Sequence, residues 1–309
     1  MQTLIYHAKV CLKALKANET DGKLYIISQT FNISTIGGDP SILGEYPGWN
    51  VEEFIAVLDA NPQADIPFGP NFTKQDILFV LLLMNLYEYV DMTAGTANFN
   101  NEDFIKLLKF IDTFPSEVDE IILDPLFNRE LKAEGRQIME RFIVRLHGLR
   151  LQKESFGGDI VFKGWPTADR NGHTFISHDS VAITTHATDK DGAWDFIRTL
   201  LMEEHQRDLA LFGFQINKVV FNEQILKDME PMSFLHDGVL ITVEPTQEDV
   251  DDIISLINST TKIAGHGSDA TLGILITESA TDFFNGLISA EDAARIIQNR
   301  VSIFLAEQS

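Results

Sequence analysis

The sequence predicts an α/β protein, and two kinds of segment carry that prediction. Leu24–Ser28 and Phe31–Ile36 are β-like, because they are rich in Ile and aromatic residues, and Gln137–Val144 is strand-like as well. Asn101–Phe114 instead repeats its apolar residues at helical spacing, which predicts an amphipathic helix. Strands that are separated by helices along the chain are typical of the α/β class.

Capping residues mark where several predicted helices begin. Asn50 is the expected N-cap of Val51–Leu58, and Thr73, with Asp76 at the capping-box position, begins the helix from Lys74. The other predicted helices are Lys9–Lys16, Leu126–Gly135, His147–Glu154, Ala193–Leu211, Thr246–Ser259 (with Thr246 and Asp249 in capping positions), Ser268–Asn285 and Ala290–Glu307. The other predicted strands are Ile160–Lys163 and Ser180–Thr184.

The tryptophans are expected to pack. Trp49 and Trp194 fall in helix-start and helix patterns and are predicted to lie in the core. Trp165, at a strand end before Pro166, is expected to pack.

Composition limits the class of partner. The chain has 309 residues, 44% of them hydrophobic, which is enough for one large or two medium domains. Its formal net charge of -22 repels polyanions, so nucleic acid and anionic lipid are not expected as partners. The single cysteine, Cys11, is expected to be packed; no Cys/His cluster has zinc spacing, and neither a metal nor a cofactor is predicted.

Neither a leader nor a membrane span is predicted. Met1–Leu15 lacks a continuous apolar region and a small-residue cleavage site, so it does not read as a signal peptide. Ile77–Leu86 is the most apolar run, but it is shorter than the roughly 20 residues that a transmembrane helix needs. It is therefore expected to be a buried helix.

The stretch Phe156–Gln206 is the most informative part of the chain. GWPT at Gly164–Thr167 is followed by a Gly/Asn-rich turn, a β segment and KDGAWDFI at Lys190–Ile197. This order resembles the extracellular solute-binding proteins of ABC importers, in the carbohydrate-type family that includes maltose-binding protein. Further segments resemble the same family in order along the chain: Asp21–Thr35 (DGKLYIISQTFNIST), Gly48–Pro62 (GWNVEEFIAVLDANP), Asn98–Phe110 (NFNNEDFIKLLKF), Gly135–Met139 (GRQIM) and Asn285–Glu307 (NGLISAEDAARIIQNRVSIFLAE).

The resemblance implies a periplasmic-binding-protein-like type II fold, helix-rich, with two lobes joined by crossing strands. It further implies that the protein is not an enzyme. Such a protein binds a solute, here a mono- or oligosaccharide, in the cleft between its lobes and delivers it to the permease subunits of the importer. In the complete protein, a lipid on an N-terminal cysteine would anchor it at the cell surface, outside the membrane.

The resemblance also predicts how the lobes divide the sequence. Family members begin with a signal peptide and much of a first lobe, whereas this chain starts just before the first crossing segment, so lobe one is expected to be incomplete. Lobe two is predicted as residues 36–176 plus 219–309, near complete. Residues 1–35 plus 177–218 are predicted to hold the crossing strands and the remnant of lobe one.

Sugar recognition requires aromatic faces for the ring and planar polar groups for the hydroxyls. The residues of these types that the resemblance places near the cleft are Phe31, Asn32, Arg141, Phe142, Asn171, His173, His178, Asp179, His266 and Asp269. Ordinary roles remain open for several of them. Phe31 also fits a core position and Arg141 a surface ion pair, while His266 and Asp269 also fit a turn and a helix cap.

Two other functions remain open. The chain also fits a degenerate remnant that acts only as an interaction module. A glycoside-processing enzyme is the other alternative, because the two carboxylates of such an enzyme are set by geometry and not by sequence spacing. No sequence motif of a serine hydrolase elbow, phosphate-binding loop or zinc protease is present.

Overall fold

The computed structural model describes residues 13–20, 22–69, 72–117, 128–209, 213–236, 238–263 and 268–308. The predictions for Cys11 and His266 lie outside these residues. Of the helix predicted at Lys9–Lys16, only the part from residue 13 is described, and residues 13–17 are helical.

The labelled helices are numbered in chain order. They are α1 (Pro40–Leu43), α2 (Val51–Asp59), α3 (Lys74–Tyr89), α4 (Glu102–Ile111), α5 (Asn128–Ala133), α6 (Leu146–Ser155), α7 (Lys190–Leu200), α8 (Glu203–Asp208), α9 (Lys218–Asp228), α10 (Gln247–Ser259), α11 (Ser268–Phe284) and α12 (Ala290–Gln308). None of the described helices is both long enough and apolar enough to cross a membrane.

The strands are mostly short. They are β1 (Glu19–Thr20), β2 (Lys23–Leu24), β3 (Thr30–Gly38), β4 (Val90–Asp91), β5 (Thr96–Ala97), β6 (Met139–Ile143), β7 (Val161–Phe162), β8 (Thr174–His178), β9 (Phe214–Gln215), β10 (Met232–His236), β11 (Val239–Val243) and β12 (Lys262–Ile263). Helix α9 and the β10–β11 hairpin were not predicted from the sequence.

The predicted starts of α2, α3 and α10 are confirmed, and so are the capping side chains on which these predictions rest. Asn50 accepts a hydrogen bond from the backbone of the third helical residue of α2. Thr73 and Asp76 form a reciprocal capping box at α3, and Thr246 and Asp249 form another at α10. Each box satisfies backbone N–H groups that the first turn of a helix leaves without a partner.

Three predicted elements are wrong. Of the β segment predicted at Leu24–Ser28, only Leu24 belongs to a strand, β2, and Ile27 makes an isolated bridge. The helix predicted at Ala193–Leu211 is two helices, α7 and α8, with the break after Leu200. The strand predicted at Ser180–Thr184 lies earlier, at β8, and residue 181 makes only an isolated bridge to residue 27. The chain leaves the sheet at Asp179, whose φ of 50° is left-handed and ends an extended strand.

The chain divides into two compact units. Unit 1 comprises Met1–Gly37, Arg141–Gly164 and Asn171–Ala264, and unit 2 comprises Gly38–Glu140, Trp165–Arg170 and Gly265–Ser309. The units do not coincide with the predicted lobes, which stay a prediction: residues 141–164, 171–176 and 219–264, assigned to lobe two, belong to unit 1 with the N-terminal segment. The reason is that α6, α9 and α10 pack on the sheet that contains β3.

Unit 1 is a mixed sheet covered by helices. Strands run in the order β12-β8-β3-β6, and β7 and β9 also pair with β3; β8 is antiparallel to β3 and parallel to β12. The apolar side of the sheet packs on α6, α9 and α10 through a cluster of buried residues. Its members include Phe31, Ile33, Phe142, Leu146, Leu149, Phe175, Phe214, Phe221, Ile225, Ile253 and Ile257.

Unit 2 contains α1 to α5, α11, α12 and the β4–β5 hairpin. Helix α11 packs on α3 and α12, and α12 packs on α4. Phe54 is fully buried, with its ring centroid 5.2 Å from that of Trp49 and 5.9 Å from that of Phe110. Trp165 stacks on Phe68 at 5.8 Å and is 1% exposed. The core positions predicted for Trp49 and the packing predicted for Trp165 are confirmed.

Trp194 is different, because the prediction of a core position is wrong. Its side chain lies on α7 in unit 1 and is 44% exposed. Helix α7 buries only Ile197. The apolar pattern of the sequence predicts an amphipathic helix, but it does not tell how many of the apolar residues find a partner.

Candidate functional site

The candidate site is built on β3, the longest strand of the sheet. All nine residues of β3 are buried, and its first five alternate Thr30, Phe31, Asn32, Ile33, Ser34. Because successive side chains of a strand point to opposite faces, the aromatic and aliphatic residues share one face and the three polar residues share the other. The apolar face is the one that joins the core of unit 1.

The register with β8 extends the polar face across the sheet. Thr30 lies opposite His178, Asn32 opposite Ile176, and Ser34 opposite Thr174. Residues directly opposite each other in an antiparallel pair point to the same side. The three polar residues of β3 therefore share a face with Thr174 and His178.

Strand β9 adds one more polar residue, since Gln215 lies opposite Thr30 on the other edge of β3. We call this surface the polar sheet face. It consists of Thr30, Asn32, Ser34, Thr174, His178 and Gln215. These side chains are hydroxyls, amides and one imidazole, and the register also places Ile176 and Lys262 on this side of the sheet, so the polar sheet face carries hydrogen-bonding groups beside one Lys cation.

Asn32 and His178 are bonded to each other. Asn32 Nδ2 lies 3.0 Å from His178 Nε2, and Asn32 is 5% exposed. With the amide nitrogen as donor, the imidazole accepts at Nε2 and carries its proton on Nδ1. The pair holds two planar polar groups in fixed orientation on neighbouring strands.

Two hydroxyl groups on the polar sheet face are buried without a hydrogen-bond partner among the described residues. They are Thr30 Oγ1 and Thr174 Oγ1, on side chains that are 0% and 1% exposed. A buried hydroxyl without a partner costs roughly 1–3 kcal/mol of stability. Native proteins keep few such groups, and those that persist call for an explanation such as a functional role.

The start of β3 is held by a network around Gln29. Its Nε2 donates to the backbone carbonyl of Asp179 (2.9 Å), and its Oε1 accepts from His205 Nε2 (2.7 Å). Gln206, which is fully buried, donates from Nε2 to the backbone carbonyl of Gln29 (3.1 Å). These bonds fix the backbone next to Thr30, so the first residue of the polar sheet face is rigidly placed.

The structure places both predicted aromatic residues in the core, which for Phe31 is the alternative that the sequence left open. Phe31 is 1% exposed and packs edge-on against Phe175 at 5.5 Å. Phe142 is 5% exposed and packs against Phe162 at 5.6 Å. Both rings lie on the apolar side of the sheet, where they have a packing role instead of the predicted stacking role.

His173 and Asn171 also make internal contacts. His173 Nδ1 lies 2.8 Å from Thr35 Oγ1, and burial lowers the pKa of this histidine to about 4, so the ring is neutral at pH 7. Asn171 Nδ2 donates to Thr261 Oγ1 at 3.1 Å. These two residues connect the chain before β8 to β3 and to the segment after α10.

The remaining predicted residues make no hydrogen bond described here to the polar sheet face. Arg141 is exposed on β6, and Asp179 is exposed just after β8. Asp269 belongs to unit 2, where its Oδ2 accepts from the Tyr87 hydroxyl at 3.0 Å, and burial followed by this carboxylate raises the pKa of Tyr87. Among the ten predicted residues, Asn32 and His178 are the one pair that the hydrogen bonds described above connect.

Sequence reasoning missed Thr30, Ser34, Thr174 and Gln215. A signal for the first two was present, because polar and apolar residues alternate strictly from Thr30 to Ser34. Thr174 and Gln215 follow only from the pairing of strands that lie far apart in sequence. Across the described residues, no group of three or more His, Cys, Asp or Glu side chains is placed to hold a metal ion.

The comparisons with known proteins identify the fold. No protein-family model matches the chain, and no relative is found among curated protein sequences. Among solved structures, the chain is similar to an extracellular solute-binding protein family 1 member from Alicyclobacillus acidocaldarius, with a TM-score of 0.52 and 14% identity over 95% of this chain and 75% of that one.

Two further structures agree. One is an ABC transporter solute-binding protein from Thermotoga lettingae bound with α-D-tagatose, with a TM-score of 0.51 and 13% identity over 94% of this chain and 75% of the other. The second is the cyclic α-maltosyl-1,6-maltose binding protein from Arthrobacter globiformis, with a TM-score of 0.51 and 12% identity over 98% and 78%. The chain has the α/β fold of ABC-transporter solute-binding proteins, as the sequence predicted.

Proposed function

We propose that this protein binds a carbohydrate at the polar sheet face and serves as the extracellular recognition component of an ABC importer, without enzymatic activity. The observation that carries the proposal is that hydroxyl, amide and imidazole groups share one face of the sheet in unit 1. Sugar hydroxyls both donate and accept hydrogen bonds, and hydroxyl, amide and imidazole groups can pair with them in both ways.

The fold supports the same proposal. The Thermotoga and Arthrobacter proteins are described as binding α-D-tagatose and a cyclic maltosyl-maltose, respectively. Delivery of the solute to a permease and a lipid anchor on a complete protein stay predictions. The polar sheet face also lacks the pair of carboxylates that a glycoside-processing enzyme needs, so this surface favours binding over catalysis.

The test is a thermal-shift screen of the full chain against monosaccharides and oligosaccharides. A ligand that binds only the folded state adds about 2.7 kcal/mol to the free energy of unfolding at a hundredfold excess over Kd. We expect a rise in Tm with one class of sugar. If the protein melts cooperatively and no sugar changes its Tm, carbohydrate is excluded as the ligand. That result would favour the alternative of a degenerate remnant that acts only as an interaction module.

Thr30→Val locates the site. Valine has nearly the shape of threonine but no hydroxyl, so we expect weaker sugar binding, by about tenfold, since a hydrogen bond contributes roughly 0.5–1.5 kcal/mol. Because Thr30 Oγ1 has no partner among the described residues, the variant should unfold at the same or higher urea concentration than the parent.

Thr184→Val is the matched control. This threonine is exposed and lies away from β3 in the sequence, so the same chemical change should leave sugar affinity unchanged. Equal affinity in the Thr30 and Thr184 variants would show that the polar sheet face does not bind the sugar.

A further inference from the structure

A lysine lies beside the polar sheet face at one end of the sheet in unit 1. Lys262 belongs to β12 and lies directly opposite Thr174 of β8 in a parallel pair, so the two side chains point to the same side. Neighbouring strands lie about 4.7–4.9 Å apart, so these side chains start close together. Lys262 is half-buried, whereas Thr174 is buried. The lysine therefore adds a positive charge at a more accessible end of a row of neutral hydrogen-bonding groups.

Thr174 supplies a second donor next to this charge. Its Oγ1 is buried without a hydrogen-bond partner among the described residues. Lys262 interacts with another group of the protein, but an ammonium group has three N–H donors and can hold a ligand oxygen beside such a contact. The pair thus presents one charged donor and one neutral donor on the same side of two adjacent strands.

A second cation lies on this side of the sheet, at its other end. Phe142 of β6 joins the apolar cluster, so Arg141, the residue before it, points to the polar side and is exposed. Glu140 is the one carboxylate in the six strands that the structure describes in this sheet, and it shares the apolar side with Phe142. The strands therefore turn two cations and no carboxylate toward the polar side.

This local charge is opposite to that of the whole chain. The chain has 46 acidic and 24 basic residues and repels anions at long range. At 0.15 M salt, however, exposed charges farther away than about 8 Å are largely screened. Asp179, the carboxylate next to β8, follows the strand at its far end, five residues after Thr174. An anionic group that lies against Thr174 is therefore influenced mainly by Lys262.

We propose that the carbohydrate bound at the polar sheet face is acidic, and that Lys262 and Thr174 bind its carboxylate. This inference rests on the proposed function and names the class of sugar within it. A carboxylate has two oxygens that accept hydrogen bonds, and a bond from an ammonium group is about twice as strong as one between neutral groups. The Thr174 hydroxyl donates to the second oxygen. The neutral side chains of the face pair with the ring hydroxyls.

A carboxylate matches this pair of donors better than a phosphate does. A phosphate monoester carries a charge of about −1.5 to −2 and three acceptor oxygens, and Arg clusters are typical of the sites that bind it. Beside Thr174 the register supplies one ammonium group. Arg141 lies three strand spacings from β12, about 14 Å away, so it is too distant to share one phosphate with Lys262.

The experiment is isothermal titration calorimetry of the full chain with matched pairs of sugars. The pairs are D-galacturonate and D-galactose, D-glucuronate and D-glucose, and D-mannuronate and D-mannose, each as monosaccharides and short oligomers, with glucose 6-phosphate as the phosphate probe. Within each pair a carboxylate replaces a CH₂OH group on the same ring. We expect one acid to bind at least about tenfold more tightly than its neutral partner, a change of 1.4 kcal/mol.

Salt and charge removal test the role of Lys262. Raising NaCl from about 0.05 M to about 0.5 M should weaken binding of the acid and leave the neutral partner unchanged, because salt screens charges. Lys262→Gln keeps a hydrogen-bonding side chain without the charge, so it should weaken the acid by about tenfold and leave the neutral sugar unchanged. Unchanged neutral binding also shows that the variant is folded.

Two further variants complete the test. Thr174→Val should weaken the acid by a smaller factor, and the double variant should lose less than the two single losses combined, because both residues contact the same carboxylate. Lys190→Gln is the matched control, since Lys190 is exposed on α7 and the same charge is removed away from the polar sheet face. It should bind both sugars of a pair as the parent protein does.

The outcomes separate this inference from the proposed function. If neutral sugars bind and no acid binds more tightly, or if Lys262→Gln weakens both sugars of a pair equally, the inference is wrong while the proposed function stands. Tighter binding of glucose 6-phosphate than of any uronate would overturn the assignment of a carboxylate. If no sugar of either kind binds, the proposed function fails together with the inference.

Discussion

Unit 2 and unit 1 bury their polar groups in contrasting ways. In unit 2, a capping box begins both α2 and α3, and the helices close on an aromatic core around Phe54. In unit 1, the sheet has one apolar face and one polar face, and Thr30 and Thr174 are buried there without a hydrogen-bond partner among the described residues. The units share some features, since α10 in unit 1 also begins with a capping box and Gln137 Oε1 in unit 2 is buried without a partner among the described residues. The two unpartnered hydroxyls that lie on one face of a sheet belong to unit 1.

The unpartnered hydroxyls of unit 1 bear on the proposed binding site. Selection for stability alone would favour a methyl group in place of a buried hydroxyl that has no hydrogen-bond partner. Conflicts between local chemistry and the global fold are expected at functional sites, where binding compensates for the cost. Under the proposed function, this reasoning supports the polar sheet face of unit 1 as the place where solute binds.

The largest effect is expected from truncation of the aromatic core of unit 2. Phe54→Ala should lower the free energy of unfolding by about 3–5 kcal/mol, because the ring is fully buried and its removal leaves a cavity. Urea unfolding measures the loss. Phe196→Ala, at a site that is 62% exposed, is the control and should change stability by less than about 0.5 kcal/mol. Equal losses would contradict the core that we assign to unit 2.

An intermediate effect is expected from pH through His173 in unit 1. Its pKa is about 4 in the folded protein, against 6.5 for an ordinary histidine. Between pH 6.5 and pH 4, His173 binds a proton in the unfolded chain but not in the folded chain. Its contribution to the free energy of unfolding is therefore fully present above pH 6.5 and is lost as the pH drops toward 4. The loss is on the order of 3 kcal/mol, since one pKa unit corresponds to 1.36 kcal/mol.

His173→Gln removes the imidazole ring, so the free energy of unfolding of this variant should change less with pH between 6.5 and 4. Urea unfolding at several pH values from 7 to 4 gives the slope of the free energy of unfolding against pH. His186 is exposed, so His186→Gln should keep the slope of the parent protein. If the slope survives in His173→Gln, another group causes it and the buried imidazole does not distinguish unit 1.

The smallest effect is expected at the capping box of α3. Thr73→Ala removes the hydroxyl that accepts from the backbone of Asp76, and a change of this type costs about 1 kcal/mol. The fall in Tm equals the loss of free energy divided by the entropy of unfolding, which grows with chain length. A loss of 1 kcal/mol lowers Tm by about 4–8 °C in domains of 60–100 residues, so this larger chain should show a fall of about 2–4 °C. Thr184→Ala, at an exposed residue outside the helices, should leave Tm unchanged.

Contacts close in sequence were predictable, and contacts between distant segments were not. The capping boxes at α3 and α10 were predicted because each joins residues three apart. The break between α7 and α8 was missed, because the apolar pattern continues through it while Leu201 only caps the first helix. The polar sheet face was found in part, through Asn32 and His178, since its other members depend on strand register.

The sequence by itself determined the α/β class, the starts of the main helices and the resemblance to solute-binding proteins, because periodicity, caps and motif order are written in short stretches of chain. Only the tertiary structure decided that Phe31 belongs to the core and Thr30 to the polar sheet face, since one residue of register exchanges the two sides of a strand. It also decided that Trp194 stays exposed. Helical spacing shows which side chains share a face, but burial depends on whether a partner surface reaches that face.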